Sequence, residues 1–162
     1  MGKNRPDGKD TPVQIDLADV PDAEALLELQ RLCYRSEEAI YTDDAVPPLL
    51  ETLEQIQAEF EKQVFLKATD NQKIVGSVRA YTENESCHIG RLIVHPDYQN
   101  RGIGTRLLLS IEATFISIRR FELFTGDRSQ KNLVLYRKLD YREYRREKVN
   151  DRLTLVFLEK RV

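Results

Sequence analysis

Gln99-Asn100-Arg101-Gly102-Ile103-Gly104 is the stretch whose residue types and spacing could do chemistry on their own. Glycines at 102 and 104 let the backbone turn tightly and expose consecutive N–H groups. A periodic helix follows at once, so those donors lie at the positive end of a helix dipole and form a pyrophosphate site that needs no lysine. Spacing excludes two other phosphate loops. A Walker A loop needs Gly-Lys-Ser/Thr, and Gly104 is followed by Thr105-Arg106; a dinucleotide fingerprint needs a small residue where this chain has Leu107. The only cysteines, Cys33 and Cys87, are far apart and lack metal-ligand partners, which predicts reduced thiols filling the core and no metal site.

Two elements must position the turn. Residues 89–94, β-branched and leucine-rich, predict a buried strand that ends at His95-Pro96-Asp97, because proline cannot donate to a ladder. Residues 105–118 predict a helix, with Leu108, Ile111, Phe115 and Ile118 at helical spacing.

The rest of the chain builds a scaffold around them. Residues 1–10 read as a mobile polar tail, and 11–162 as a single domain. Val13, Ile15 and Leu17 alternate as a first strand. Asp19 and Pro21 then open a helix carrying Leu26, Leu29, Leu32 and Cys33 on one face. Residues 35–46 read as an acid-rich loop closed by Pro47-Pro48, before a second helix with Leu49, Leu53, Ile56 and Phe60. Strands are expected at 63–69, 73–82 and 86–94, with a turn at Asp70-Asn71-Gln72. A strand at 121–125, a helix capped by Asp127 or Ser129 and running to about Leu139, and a strand pair at 141–149 and 152–158 complete the order β-α-α-β-β-β-α-β-α-β-β. That order predicts a mixed sheet with helices on both faces.

Composition narrows the function classes. The 162 residues are 41% apolar and 32% charged, with no apolar run near the ~20 residues of a membrane span and no signal-peptide core. A cytoplasmic protein that does not bind membranes is the expectation. Net charge is −2, with an acidic first 70 residues and a basic stretch after 128. The acidic end argues against a nucleic-acid partner, which needs a basic face.

Gln-x-x-Gly-x-Gly after a strand ending Leu92-Ile93-Val94-x-Pro, with Tyr98, Gln99 and Arg101 in order, resembles the GNAT superfamily of acyl-CoA-dependent N-acyltransferases. Residues 129–141 resemble that family's Asn-x-x-Ala-x-x-Leu-Tyr-x-Lys-x-Gly-Phe/Tyr segment, with Ser129 in place of the usual Asn, Asn132 one turn later and Asp140 in place of Gly. The resemblance covers 12–158. It implies the GNAT α/β (α+β) fold, a mostly antiparallel mixed sheet of six or seven strands flanked by about four helices.

The same resemblance implies acetyl transfer from acetyl-CoA to a primary amine of a small molecule or peptide, in a ternary complex and without a metal. Such transfer needs a neutral amine, a polarised carbonyl and a protonated leaving thiolate. By resemblance, the backbone of Leu92, Ile93 and Val94 binds the pantetheine arm. Gln99, Asn100, Arg101, Gly102, Ile103, Gly104 and Thr105 hold the pyrophosphate, and Ser129 or Asn132 meets the cofactor. Tyr136 matches the family's proton donor to the sulfur. His88, four residues before Leu92, is expected on the same strand face as Gly90, Leu92 and Val94, in the register of the base in histone acetyltransferase members. Glu83, Glu85 or a water chain are alternative bases. Glu37, Glu38, Asp43 and Asp44, with Tyr34 and Tyr41, would line an acceptor side suited to a cationic amine. A homodimer is an expectation from fold analogy alone. Two competing readings are a non-catalytic acyl-CoA-binding module and a partner-binding domain whose glycines only shape a turn.

Overall fold

The computed structural model of the chain describes residues 12–41 and 50–162, with 36–41 as backbone only. The expected tail at 1–10 and residues 42–46 of the expected acid-rich loop lie outside the described residues. Seven strands form one sheet: β1 (Gln14–Leu17), β2 (Val64–Asp70), β3 (Lys73–Glu83), β4 (Ser86–Val94), β5 (Arg120–Gly126), β6 (Arg142–Lys148) and β7 (Thr154–Arg161), in the order β1-β2-β3-β4-β5-β7-β6. Among the described residues four α-helices accompany them in full: α1 (Ala23–Tyr41), α2 (Leu53–Glu59), α3 (Ile103–Thr114) and α4 (Gln130–Lys138).

Local chemistry accounts for most boundaries. Both hairpins of the β2-β3-β4 meander turn through two residues at positive φ, Asn71 and Gln72 (47° and 71°) and Asn84 and Glu85 (52° and 65°). That geometry matches the twist of the flanking strands. Thr52 caps α2, accepting from the Gln55 N–H at 3.2 Å while Gln55 Oε1 accepts the Thr52 N–H at 2.9 Å. α1 continues through Arg35 to Tyr41, where a loop was expected; Arg-Ser-Glu-Glu-Ala-Ile is polar but holds no Gly or Pro, and polarity alone does not end a helix. α3 begins two residues earlier than expected and stops at Thr114, with Phe115 leaving helical geometry at φ −105° and ψ 60°. Leu17 is 67% exposed on edge strand β1, so the alternation that marked the strand does not bury it.

Helices cover both faces. Leu107, Leu108 and Ile111 of α3, with Leu133 and Tyr136 of α4, pack on Val78, Ala80, Cys87, Ile89 and Leu158 in the larger core. On the opposite face, Leu26 and Leu27 of α1 and Ile56 of α2 enclose Phe65. β6 is exposed along its whole length and charged, which protects that edge from pairing with other chains.

Two irregularities in β4 matter most. Its pairing with β5 is the one parallel pairing described in the sheet, and runs only over Ser86–His88 against Arg120–Glu122. Beyond His88 the strands part, so the sheet splits into two halves. β4 also carries a bulge: Ser77 opposes Ile93 and Arg79 opposes Gly90, leaving Arg91 and Leu92 together opposite Val78, with Arg91 at φ 50°. An extra residue reverses the side-chain alternation beyond it. Cys87, Ile89, Leu92 and Val94 therefore all pack toward α3. His88 lies on the opposite face with Gly90, not with Leu92 and Val94 as strict alternation predicts.

Candidate functional site

A cleft of about 700 Å³ opens where β4 leaves β5, bounded by the second half of β4, the start of α3 and one face of α4. Leu92, Ile93 and Val94 form one wall, and past His88 no ladder to β5 occupies that edge. The Val94 carbonyl accepts from Gln99 Nε2 at 3.3 Å and from Cys33 Sγ at 3.4 Å.

The floor is the N-terminus of α3. Gly102 is its N-cap, in left-handed geometry at φ 80°, and has no side chain with which to cap. The first helical bond runs from the Arg106 N–H to the Gly102 carbonyl at 3.0 Å. The N–H groups of Ile103, Gly104 and Thr105 therefore have no partner within the helix, and all three residues line the cleft. Three such donors at the positive end of the dipole suit an oxyanion. Asn100, also on the wall, turns the chain at φ 64°.

Cations flank this floor. Lys131 Nζ donates to Gln99 Oε1 at 3.1 Å, tying α4 to the turn across the cleft, and Lys138 lies one face along. Lys138 is the lysine of the Leu-Tyr-x-Lys match and was given no role there, and Lys131 was not singled out, although Lys131, Leu135 and Lys138 fall on one helical face at i, i+4 and i+7. Arg101 is held beside the cleft, donating to the Asp97 carbonyl at 3.2 Å with its guanidinium 4.9 Å from the Tyr98 ring centre. His95 caps the short turn at Pro96–Tyr98, accepting the Asp97 N–H at 3.1 Å.

α4 separates its two candidates. Asn132 lines the cleft and donates to Thr125 Oγ1 at 3.2 Å, whereas Ser129 is buried at the helix start. Tyr136 follows cleft-lining Leu135 but is itself 5% exposed, within the core beside Tyr141. Cys33 faces the cleft with its thiol pushed up to about 12, burial outweighing the Val94 hydrogen bond. Burial likewise pushes buried Cys87 up to about 12, with the Glu112 charge adding to it. Both thiols are protonated near neutral pH and are poor nucleophiles or metal ligands. Among the described residues, no group of three His, Cys, Asp or Glu is arranged to hold a metal ion.

His88 belongs to the face opposite α3. With Glu122 it forms the last β4-β5 pair before the strands separate, so it lies at the apex of the gap. Its Nδ1 is 3.0 Å from Glu122 Oε1, and its ring stacks on Tyr81 with centroids 4.9 Å apart. Arg120 fixes Glu122 by donating to Oε2 and is itself held by Glu159 Oε1 at 2.8 Å. Glu83 and Glu85 are exposed at the β3-β4 hairpin, at the end of β4 remote from Leu92. On the same face as His88, beside α1, Arg79 and Glu51 form a pair at 2.7 Å with Arg91 nearby, a group that no linear pattern connects. The side chains of Glu37, Glu38, Tyr41, Asp43 and Asp44 lie outside the described residues.

Residues 34–162 match the family described as Acetyltransferase (GNAT) domain. UPF0157 protein YqkA of Bacillus subtilis (strain 168) is 28% identical over 121 residues, covering 75% of this chain and only 35% of that longer protein. Among solved structures, the PaiA N-acetyltransferase of Thermoplasma acidophilum, in complex with coenzyme A, superposes with a TM-score of 0.80 at 20% identity, over 93% of this chain and 99% of that one. The ribosomal-protein-S18-alanine N-acetyltransferase of Escherichia coli gives a TM-score of 0.76 at 15% identity, over 93% and 94%. No helix among the described residues is long and apolar enough to cross a membrane. With four-fifths of its length inside the family match, this chain belongs to the GNAT acetyltransferase family.

Proposed function

We propose that this protein transfers an acetyl group from acetyl-CoA to a primary amine of a small molecule or peptide, with both substrates bound at once. The carrying observation is that one cleft joins the unpaired edge of β4 to the uncapped start of α3. Coenzyme A is a diphosphate joined to an extended amide-bearing arm, and the two surfaces match those two parts. Backbone N–H groups of Ile103, Gly104 and Thr105 receive the diphosphate, with Gln99, Asn100 and Asn132 along the wall and Lys131, Lys138 and Arg101 supplying positive charge. Leu92, Ile93 and Val94 offer backbone groups to the amide arm as an added strand would. The coenzyme A bound to the Thermoplasma acidophilum neighbour supports the same assignment.

Acetyl-CoA supplies an activated thioester; the remaining work is positioning and proton transfer. A backbone donor of the Leu92–Val94 segment is fixed by the strand before reaction, so polarising a carbonyl there requires no reorganisation. His88 is the proposed base. With Nδ1 directed at Glu122, Nε2 is left to accept the amine proton, directly or through water, and the Arg120–Glu159 pair keeps that carboxylate in place. The bulge puts base and cofactor wall on opposite faces of β4, so the amine reaches the thioester through the gap between β4 and β5. Tyr136 is the proposed proton donor to the leaving sulfur.

Burial of Tyr136 away from the cleft lining favours one second reading, a non-catalytic acyl-CoA-binding module. Calorimetric titration with acetyl-CoA, beside the same titration on a folded Gly102→Val/Gly104→Val variant, tests both readings. Saturable binding by the wild type alone supports the site, and free-thiol release with added amines then selects the enzyme. No binding by either protein would remove both.

A further inference from the structure

Arg79, Arg91, Glu51 and Gln30 meet on the α1 face of β3 and β4, and their hydrogen bonds do not balance. Glu51 Oε1 accepts from Arg79 Nη2 at 2.7 Å and Gln30 Nε2 at 2.9 Å, and Oε2 accepts from Arg79 Nη1 at 3.2 Å. Arg79 Nη2 also donates to Gln30 Oε1 at 2.8 Å. The one carboxylate of the group is therefore committed to Arg79. Arg91 is left over: its Nε is buried with no hydrogen-bond partner, and it forms no ion pair with any described residue. Glu59, the other described carboxylate whose charge acts on Arg91, accepts from Gln63 at 2.8 Å. Burial pulls the Arg91 guanidinium below its ordinary pKa, the Arg79 charge adds to this, and Tyr34, Glu51 and Glu59 only partly oppose it.

Arg91 is half-buried, and its Nε, out of reach of water and without an acceptor, is costly to leave unmet; five donors in a rigid fork suit a carboxylate held bidentately. The backbone also holds Arg91 in left-handed geometry at the bulge, a strain that proteins keep where the surrounding structure has a use for it. Its place supplies that use. Leu92, its chain neighbour, and Tyr34, close enough to influence it, both line the cleft, while Arg91 itself is on the face of His88.

We propose that Arg91 binds a carboxylate carried by the acceptor, so that the amine substrate is a compact amino acid rather than a plain amine or polyamine. This rests on the acetyltransferase reading above. The acceptor approaches on the α1 face, its carboxylate on Arg91 and its amine directed into the gap between β4 and β5.

The test uses the full chain, acetyl-CoA and a panel of L-amino acids and β-alanine, each beside its carboxamide, with spermidine as an amine lacking an anion. Free-thiol release should give at least one acid a kcat/KM about tenfold or more above its amide. Arg91→Gln should remove that preference, lowering the acid tenfold or more and leaving the amide and acetyl-CoA affinity within about twofold. Arg91→Lys, which keeps the charge without the fork, should retain part of the preference and guards against misfolding of the first variant. Calorimetric titration of the preferred acid into CoA-saturated protein reads the same contact without turnover, and binding should be lost in Arg91→Gln. Amides accepted as well as acids, turnover of spermidine alone, or equal losses for acid and amide in Arg91→Gln would overturn the inference while leaving the acetyltransferase reading intact. Absence of acetyl-CoA binding would overturn that reading and this inference with it.

Discussion

Gly102 and Gly104 are one residue apart, yet alanine should act on them in opposite ways. A Cβ at Gly102 would meet nothing within 4 Å, but φ there is 80°. The cost of Gly102→Ala is therefore conformational, about 1–2 kcal/mol for a left-handed alanine. In a domain of this size each kcal/mol moves the midpoint of thermal unfolding by about 2–4 °C. Gly104 has ordinary helical geometry, and its Cβ would lie 3.4 Å from Leu135 Cδ2 and 3.8 Å from Val94 Cγ2, both ordinary contacts. Gly104→Ala should thus cost no stability and could gain up to about 1 kcal/mol of helix propensity. Its methyl, however, stands in the cleft wall beside the unbonded N–H groups, so acetyl-CoA affinity should fall about tenfold or more. Thermal melts followed by circular dichroism, with calorimetric titration of each variant, separate the two effects. Gly102→Asn should recover part of the lost stability, because Asn tolerates left-handed geometry. Undiminished acetyl-CoA affinity in Gly104→Ala would refute the assignment of the α3 N-terminus as the diphosphate site. An unchanged melting temperature in Gly102→Ala would refute the left-handed cap.

Tyr136→Phe should leave acetyl-CoA affinity nearly intact while lowering turnover; equal losses of binding and rate would make the hydroxyl structural. Stability should decline in alkali. Cys33 and Cys87 are pushed from 9.0 up to about 12, so the folded state keeps protons that the unfolded chain releases, and stability present below pH 9 is lost as pH rises toward 12. Tyr141 is raised in the same direction, by burial and then by its 2.7 Å hydrogen bond to Glu112. Urea unfolding at successive pH values should fall by up to about 1.4 kcal/mol per pH unit for each thiol, a slope that Cys33→Ser should reduce. Glu51→Ala leaves Arg79 and Arg91 buried side by side without a counter-charge and should cost about 3–5 kcal/mol by urea denaturation, and a loss under about 1 kcal/mol would show that water already satisfies the pair.

Much of the fold was legible before the structure because the signals are local. The order of strands and helices follows from alternation, helical spacing and turn residues, and the strand-turn-helix around Gly102 follows from a few contiguous residues. Errors arose where a local rule met a longer-range constraint. Polar residues after Arg35 suggested a loop, but helix propensity without a breaker carried α1 on to Tyr41. Ser129 and Asn132 were left as alternatives by the motif; the helix rotation places Asn132 in the cleft wall and buries Ser129.

The sequence by itself determined the family, the glycine turn that opens α3 and the order of elements, because each depends on residues within one or two turns of one another. Only the tertiary structure decided which face each side chain serves. One extra residue in β4, visible only against β3, moved His88 across the sheet from Leu92 and Val94. Parallel pairing that stops at His88 opened the cleft, and the meeting of Gln30, Glu51, Arg79 and Arg91 left one guanidinium unmatched. These are pairings between residues roughly 10 to 50 positions apart, and the physics that selects them is the register of packed strands, which a linear pattern does not carry.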